Sequence, residues 1–159
     1  MNTRHRGLLF AIAAGIAALD QLTKWMVVHK VPLYGEIVVI PKFFAISHVT
    51  NKGAAFSMFA NGDPRATWVL AAFSMIVMAV IIFLLVRTRQ WSKGGLALAF
   101  ILGGAAGNFI DRVRLNAVVD FLAFDFGSYH WPDFNVADSA IVIGAVLLAL
   151  DAFFGKRAD

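Results

Sequence analysis

Cysteine is absent from the 159-residue sequence, and histidine is scarce. Without a thiol the chain can form neither a disulfide nor a thiolate-bound metal site. The four histidines show no metal-ligand spacing such as HExxH; they are His5, His29, His48 and His130. The composition therefore gives no indication of a metal site.

Charged residues are also few: they make up 15% of the chain, whereas hydrophobic residues make up 60% and the mean hydropathy is +0.74. Soluble domains usually contain about 25% charged and about 45–50% apolar residues. The sequence therefore predicts an integral membrane protein of one domain. Its net charge of +4 does not indicate nucleic-acid binding, because basic residues in short cytoplasmic segments produce the same excess.

Four apolar segments are long enough to cross a bilayer, which takes about 20 helical residues. They are predicted at residues 8–28, 67–86, 94–112 and 136–154. Residues 32–64 differ, because they contain short β-branched and aromatic runs separated by proline and glycine, a pattern typical of strands and turns. The predicted fold is a four-helix transmembrane bundle with a small β-rich cradle outside the membrane.

Basic residues are concentrated in the short segments 1–7, 87–93 and 155–159, which hold seven of the 14 lysines and arginines. By the positive-inside rule these segments are cytoplasmic, so both termini are predicted inside the cell. The polar residues at the opposite helix ends then lie together on the outer face. Acids near a membrane span are costly, so each is a candidate functional residue.

Paired carboxyl groups can share a proton, so that one acts as an acid and the other as a base. Such a pair can activate water against a peptide carbonyl and protonate the leaving amine. Spacing alone does not select the pair from the seven aspartates predicted on the outer face: Asp20, Asp63, Asp111, Asp120, Asp125, Asp133 and Asp138.

Three of these acids also have structural interpretations. Asp20 lies four residues before Lys24, so the two can form an ion pair at a helix end. Asp111 can pair with Arg112, whose side chain can also bond the last carbonyls of the third helix. Asp138 falls in the first turn of the fourth helix, where an acid and a preceding cap are favourable.

Asn51, Asn108 and Asn135 likewise can satisfy turns or cap a helix. Asp120 differs from all of these residues because it lies inside an apolar run, between two valines and a phenylalanine. No capping role explains an acid at that position. Asp120 is therefore the strongest candidate for chemistry that the local sequence offers.

Five motifs together resemble the bacterial lipoprotein signal peptidases (signal peptidase II), a family of membrane aspartic endopeptidases. They occur in the family's order and cover nearly the whole chain, and the family's four spans match those predicted above. The motifs are DQLTK at 20–24, TNKGAAF at 50–56, GGAAGNFIDR at 103–112, VVDF at 118–121 and FNVADS at 134–139.

The resemblance implies that Asp120 and Asp138 are the catalytic pair. It implies that other residues order the site or bind substrate: Asp20, Lys24, Asn51, Gly53, Asn108, Asp111, Arg112 and Asn135. The substrate would be a prolipoprotein with a diacylglyceryl-cysteine, cut just before that cysteine at the outer leaflet of the bacterial inner membrane. Membrane lipids are the other implied partners; a monomer without cofactor, metal or nucleic acid is expected.

Two residues depart from the family pattern. Asn116 stands where we expect glycine before VVDF, although asparagine tolerates left-handed backbone conformations. Asp133 adds an acid beside the last motif, where the family more often has a neutral residue, and we expect it to have little effect on the catalytic pair. Between them, residues 116–132 are expected to form an outer-face loop that acts as a lid.

A small proton-coupled membrane transporter is the alternative function. Its acids would relay protons and should be distributed through the depth of the membrane. Residues 67–86 contain no acid, and most acids are predicted at the outer face. The sequence therefore favours the peptidase.

Overall fold

The structure, a computed structural model, describes residues 3–53, 64–87 and 92–154. Residues 54–56 of the second motif, and the candidate Asp63, lie outside the described residues. The elements in chain order are α1 (Thr3–Lys30), β1 (Glu36–Ile40), β2 (Phe44–Asn51), α2 (Pro64–Arg87), α3 (Lys93–Leu115), β3 (Val118–Phe126), β4 (Tyr129–Phe134) and α4 (Val136–Phe154).

All four helices are long and apolar enough to cross a membrane. Half of the apolar membrane-spanning stretch of α3 is buried inside the protein, compared with 22% or less of the corresponding stretch in each of the other three helices. This difference arises because α3 contacts α1, α2 and α4, whereas the outer helices turn large apolar side chains outward. The described residues confirm the predicted fold class, a four-helix membrane bundle with a small sheet.

Glycines on α3 allow the neighbouring helices to approach closely. A Cβ atom at Gly103 would lie 2.6 Å from the carbonyl oxygen of Ala13 in α1. A Cβ atom at Gly104 would overlap the carbonyl oxygen of Ala137 in α4. Small residues at helix contacts are typical of membrane bundles, and here they place α1 and α4 on either side of α3.

The strands form one antiparallel sheet in the order β1-β2-β3-β4. Residues 116–132, expected to form a lid loop, instead contain β3 and the first residues of β4. Phe124 of β3 stacks on Phe44 of β2 and Phe134 of β4, with ring centroids 4.7 and 5.8 Å away. Pairing with distant strands and this aromatic stack order the segment.

Two β-bulges flank β3. In β2, Ser47 and His48 together occupy the space opposite one residue of β3. In β4, Pro132 and Asp133 do the same on the other side of β3. Because a bulge adds one residue, it changes the direction in which the following side chains point.

The sheet is fixed to the end of α1. Val27 of that helix and Val31, the residue just after its end, pack against Phe121 of β3 in a buried cluster. The Nδ1 of His48 lies 2.8 Å from the carbonyl oxygen of Val31, and because that oxygen can only accept, Nδ1 carries the hydrogen. These contacts set the position of β3 relative to the helices.

The turn from α3 into β3 depends on Asn116. Its φ is 53°, in the left-handed region, and its N–H donates to the carbonyl of Arg112 over 3.1 Å. The left-handed conformation that asparagine tolerates is therefore confirmed at the position where glycine was expected. The Thr67 hydroxyl donates to the Asn116 carbonyl (3.2 Å), and this hydrogen bond joins the turn to α2.

Candidate active site

Asp120 lies in a fully buried stretch of β3, and 3% of its surface is exposed. The Nδ2 of Asn135 donates to one carboxyl oxygen over 2.7 Å, and the Nδ2 of Asn51 donates to the other over 3.1 Å. Burial raises the pKa of Asp120 to about 7, and the nearby Asp138 charge adds to the rise, whereas the two amide hydrogen bonds oppose it. Asp120 can therefore hold or release a proton near neutral pH.

Asp138 and Asn135 cap the start of α4 reciprocally. The Asp138 N–H donates to Asn135 Oδ1 (2.9 Å), and the Asn135 N–H donates to Asp138 Oδ2 (3.3 Å). This arrangement is a capping box, so the structural interpretation of Asp138 is confirmed. The other oxygen, Oδ1, accepts a hydrogen bond from Nδ2 of Asn108 (2.8 Å).

Two asparagines connect the aspartates. Asn135 is fully buried and contacts Asp120 through its side chain and Asp138 through its backbone and side chain. Its Nδ2 also lies 3.3 Å from Oδ1 of Asn108, whose own Nδ2 holds Asp138. One hydrogen-bond network therefore contains both carboxyl groups.

Lys24 carries the positive charge at the centre of this network. Its Nζ lies 2.8 Å from Asp20 Oδ2 and 2.8 Å from Asp111 Oδ2, and it donates to Asn108 Oδ1 over 3.0 Å. The predicted ion pair within α1 is thus confirmed, and the same ammonium group also binds Asp111 and Asn108 of α3. All three charged side chains are 4% exposed or less.

Arg112 does not form the ion pair with Asp111 that their adjacency in the sequence suggested. In the described part of the chain, Asp111 forms its ion pair with Lys24 and not with Arg112. The Arg112 guanidinium instead donates to the carbonyl of Asn108 (3.3 Å), as expected for a helix end. Its charge also acts on Asp138, Asp111 and Asp120.

The two acids that hold Lys24 also fix the backbone of the catalytic candidates. Asp20 Oδ1 accepts from the N–H of Ala137 (2.9 Å), so an acid of α1 caps the start of α4. Asp111 Oδ2 accepts from the N–H of Val119 (3.1 Å), the residue before Asp120. Asp20 and Asp111 therefore position the two segments that carry Asp120 and Asp138.

Gly53 positions Asn51. Its N–H donates to Asn51 Oδ1 (2.8 Å), which leaves the Asn51 amide nitrogen directed at Asp120. The φ of Gly53 is 99°, and a Cβ atom there would lie 2.6 Å from Cδ1 of Leu70. The backbone conformation therefore favours glycine at this position, and a larger residue would also have to displace the end of the Leu70 side chain.

The geometry can be compared with known proteins. Residues 12–154 match the family described as Signal peptidase (SPase) II. The chain belongs to the signal peptidase II family. A lipoprotein signal peptidase of Desulforapulum autotrophicum is 44% identical, and the alignment covers 100% of this chain and 99% of that protein. A lipoprotein signal peptidase of Geobacter metallireducens is 42% identical over 94% of this chain and 93% of its own.

The fold agrees with this family. A solved bacterial membrane enzyme superposes with a TM-score of 0.81 and 28% identity, and the match covers 95% of both chains. The chain is therefore a membrane-embedded protease. The alternative of a proton-coupled transporter finds no support, because the relatives named here are peptidases.

The structure brings all ten residues that the sequence resemblance implied into one connected network. Gln21 also belongs to it, although its role was not predicted. Its Nε2 donates to Asp111 Oδ1 (2.8 Å) and to the carbonyl of Gly107 (3.2 Å), so it joins α1 to α3. Its position inside the DQLTK motif was the available signal, but only the helix packing shows what it contacts.

Proposed function

We propose that this chain is an aspartic endopeptidase that removes signal peptides from prolipoproteins, cutting just before a cysteine that carries diacylglycerol. The observation that carries the proposal is the contact of one buried side chain, Asn135, with both Asp120 and Asp138. This contact joins two carboxyl groups from different elements, β3 and α4, in one site. The names of the relatives support the choice of substrate.

Asp120 is the general acid in this proposal and Asp138 the general base. Two carboxyl groups in one site do not both ionise readily, and the pKa of about 7 favours Asp120 as the protonated member. Asp138 is less buried than Asp120 and lies near the Arg112 charge, and it is the carboxyl group left to act as the base. The network of Asn108 and Asn135 orients both groups.

The reaction then proceeds in two steps. Asp138 takes a proton from water as the water oxygen bonds to the scissile carbonyl carbon, and Asp120 gives its proton to the carbonyl oxygen. In the second step, Asp120 recovers a proton from one hydroxyl of the tetrahedral intermediate as the carbonyl re-forms. The C–N bond breaks, and the leaving amine takes the proton held by Asp138, which restores both groups.

The orientation of the site follows the same proposal. The short basic segments support a cytoplasmic location of both termini, and the site lies at the opposite helix ends, next to the sheet. The strand β1 exposes large apolar side chains there: Ile37, Val38, Val39 and Ile40. Such a strand suits the surface of the outer leaflet, where a diacylglyceryl group anchors the substrate.

Cleavage of a diacylglyceryl-modified prolipoprotein by the purified protein in detergent tests the proposal. Asp120→Asn and Asp138→Asn should each lower turnover by about 10²- to 10⁴-fold or more, because an amide cannot transfer the proton. Both variants should remain folded and inserted. Mass spectrometry should place the cut before the modified cysteine.

Matched controls make the result specific. Asp125→Asn removes an outer acid that contacts His130 instead of the catalytic pair, and it should leave turnover unchanged. A chelator should have no effect, and the same prolipoprotein without diacylglycerol should be cut poorly. A folded Asp120→Asn or Asp138→Asn protein with near-normal turnover would refute the assignment of the pair.

A further inference from the structure

The two bulges in the sheet precede the two asparagines that hold Asp120. The β2 bulge, formed by Ser47 and His48, ends three residues before Asn51. The β4 bulge ends at Asp133, two residues before Asn135. Each bulge therefore sets the direction of a side chain that donates to Asp120.

A direct bond joins these bulges across β3. The Ser47 hydroxyl donates to Asp133 Oδ2 over 2.6 Å. Ser47 is 6% exposed and the Asp133 side chain 11%, so the bond is largely shielded from water. A shielded hydrogen bond to a carboxylate is stronger than a neutral one at the surface.

The second oxygen of Asp133 faces a more exposed group. Oδ1 lies 2.9 Å from Nε2 of His130, whose Nδ1 lies 2.8 Å from Asp125 Oδ1. The side chains of His130 and Asp125 are 56% and 44% exposed. Contacts with exposed partners contribute little, so the bond to the buried Ser47 is the better shielded of the two contacts of Asp133.

Displacement of either bulge would be transmitted to the site. Asn135 is fully buried and contacts Asp120, Asp138 and Asn108, so it cannot move without shifting these partners. The active geometry tolerates little error, because a displacement of about 1 Å can cost about 100-fold in rate.

We propose that Ser47 and Asp133 are positioning residues, which lock the two bulges to each other and so hold Asn51 and Asn135 against Asp120. The inference rests on the catalytic role proposed above for Asp120. It also reverses the expectation from sequence that the extra acid at position 133 has little effect on the catalytic pair.

The test compares Ser47→Ala, Asp133→Ala and the double variant in the prolipoprotein assay. Each single variant should lose about 10- to 100-fold in kcat with little change in KM. The double variant should be no slower than the slower single variant, because both substitutions remove the same bond. Asp133→Asn keeps an oxygen that can accept from Ser47, and it should recover most of the activity.

The pH profile separates positioning from loss of folded protein. Hydrogen bonds from Asn51 and Asn135 lower the pKa of Asp120. Weakening these bonds should therefore move the Asp120 limb of the pH profile, which is the decline of kcat as Asp120 loses its proton, to higher pH. Loss of folded protein would lower the amplitude alone. Asp125→Asn leaves the Ser47 bond intact and should change neither kcat nor the limb.

Several results would overturn the inference. These are a wild-type kcat in both single variants, losses that multiply in the double variant, or a reduced amplitude with an unmoved limb. If the wild-type protein does not cleave, the proposed function fails instead. Infrared titration of the Asp120 carboxyl, assigned by its loss in Asp120→Asn, then decides the positioning role: an unchanged pKa in Ser47→Ala and Asp133→Ala refutes it.

Discussion

Replacement of Lys24 by methionine would measure how much stability the buried charge network supplies. The variant keeps most of the length of the side chain but removes an ammonium that lies 2.8 Å from both Asp20 and Asp111. Those carboxylates would stay bonded to backbone N–H groups of β3 and α4 without their counter-ion. Breaking a buried ion pair in this way costs about 3–5 kcal/mol.

This loss should be visible as a change in melting temperature. A protein of this size loses about 2–4 °C per kcal/mol, so Lys24→Met should melt about 6–20 °C below the wild type. Tryptophan fluorescence in detergent would follow unfolding. Lys30→Met is the matched control, because Lys30 ends the same helix and is exposed; it should change stability by no more than about 0.5 kcal/mol.

Additional substitution tests the cause of the loss. Asp111→Asn in the Lys24→Met background removes one of the two stranded charges and should recover part of the melting temperature. The reasoning fails if Lys24→Met melts with the Lys30→Met control. It also fails if the second substitution lowers stability further, because the stranded carboxylate would then not be the source of the loss.

Two further predictions concern Gly107 and Asp120. A Cβ atom at Gly107 would lie 2.5 Å from Asp20 Oδ2, so Gly107→Ala should destabilise the protein by about 1–3 kcal/mol. Gly15→Ala is the control, because a Cβ atom at Gly15 has no neighbouring atom within 4 Å and the substitution should not destabilise the protein. Equal melting temperatures of the two variants would contradict the prediction. Folding raises the pKa of Asp120 from 3.8 to about 7, so the folded state binds the proton more tightly and wild-type stability falls as pH rises between these values. Asp120→Asn should therefore gain stability over the wild type with rising pH, by up to about 4 kcal/mol above pH 7. Melting curves with a pH-independent difference would show that Asp120 has its ordinary pKa.

The helices could be predicted from the sequence because a membrane span must satisfy its own backbone hydrogen bonds, and only a long apolar helix does so locally. Their ends differ by a few residues, as in α1, which extends beyond the predicted 8–28 at both ends. Strand β3 could not be predicted in the same way. It becomes a strand by pairing with β2, where Asn51 lies opposite Val118, and local patterns do not reveal such distant partners.

The site likewise could be predicted from the sequence only in part. The acids could be selected through family motifs, but their partners could not. Adjacency in sequence suggested that Asp111 pairs with Arg112, whereas consecutive residues of a helix point in different directions. Asp111 faces α1 and meets Lys24, while Arg112 bonds back to its own helix. Helix packing decides which charges meet.

That packing depends on Gly107. Helices in lipid gain little from apolar contact, so close approach and polar contacts hold them together. Gly107 leaves room for Asp20, which crosses from α1 to the N–H of Ala137 in α4. Assembly of the bundle and ordering of the site therefore use the same bonds. Consequently, substitutions of Asp20 or Lys24 should reduce stability and activity together. Asp120→Asn should separate them, because it should lose cleavage while its stability relative to the wild type rises with pH.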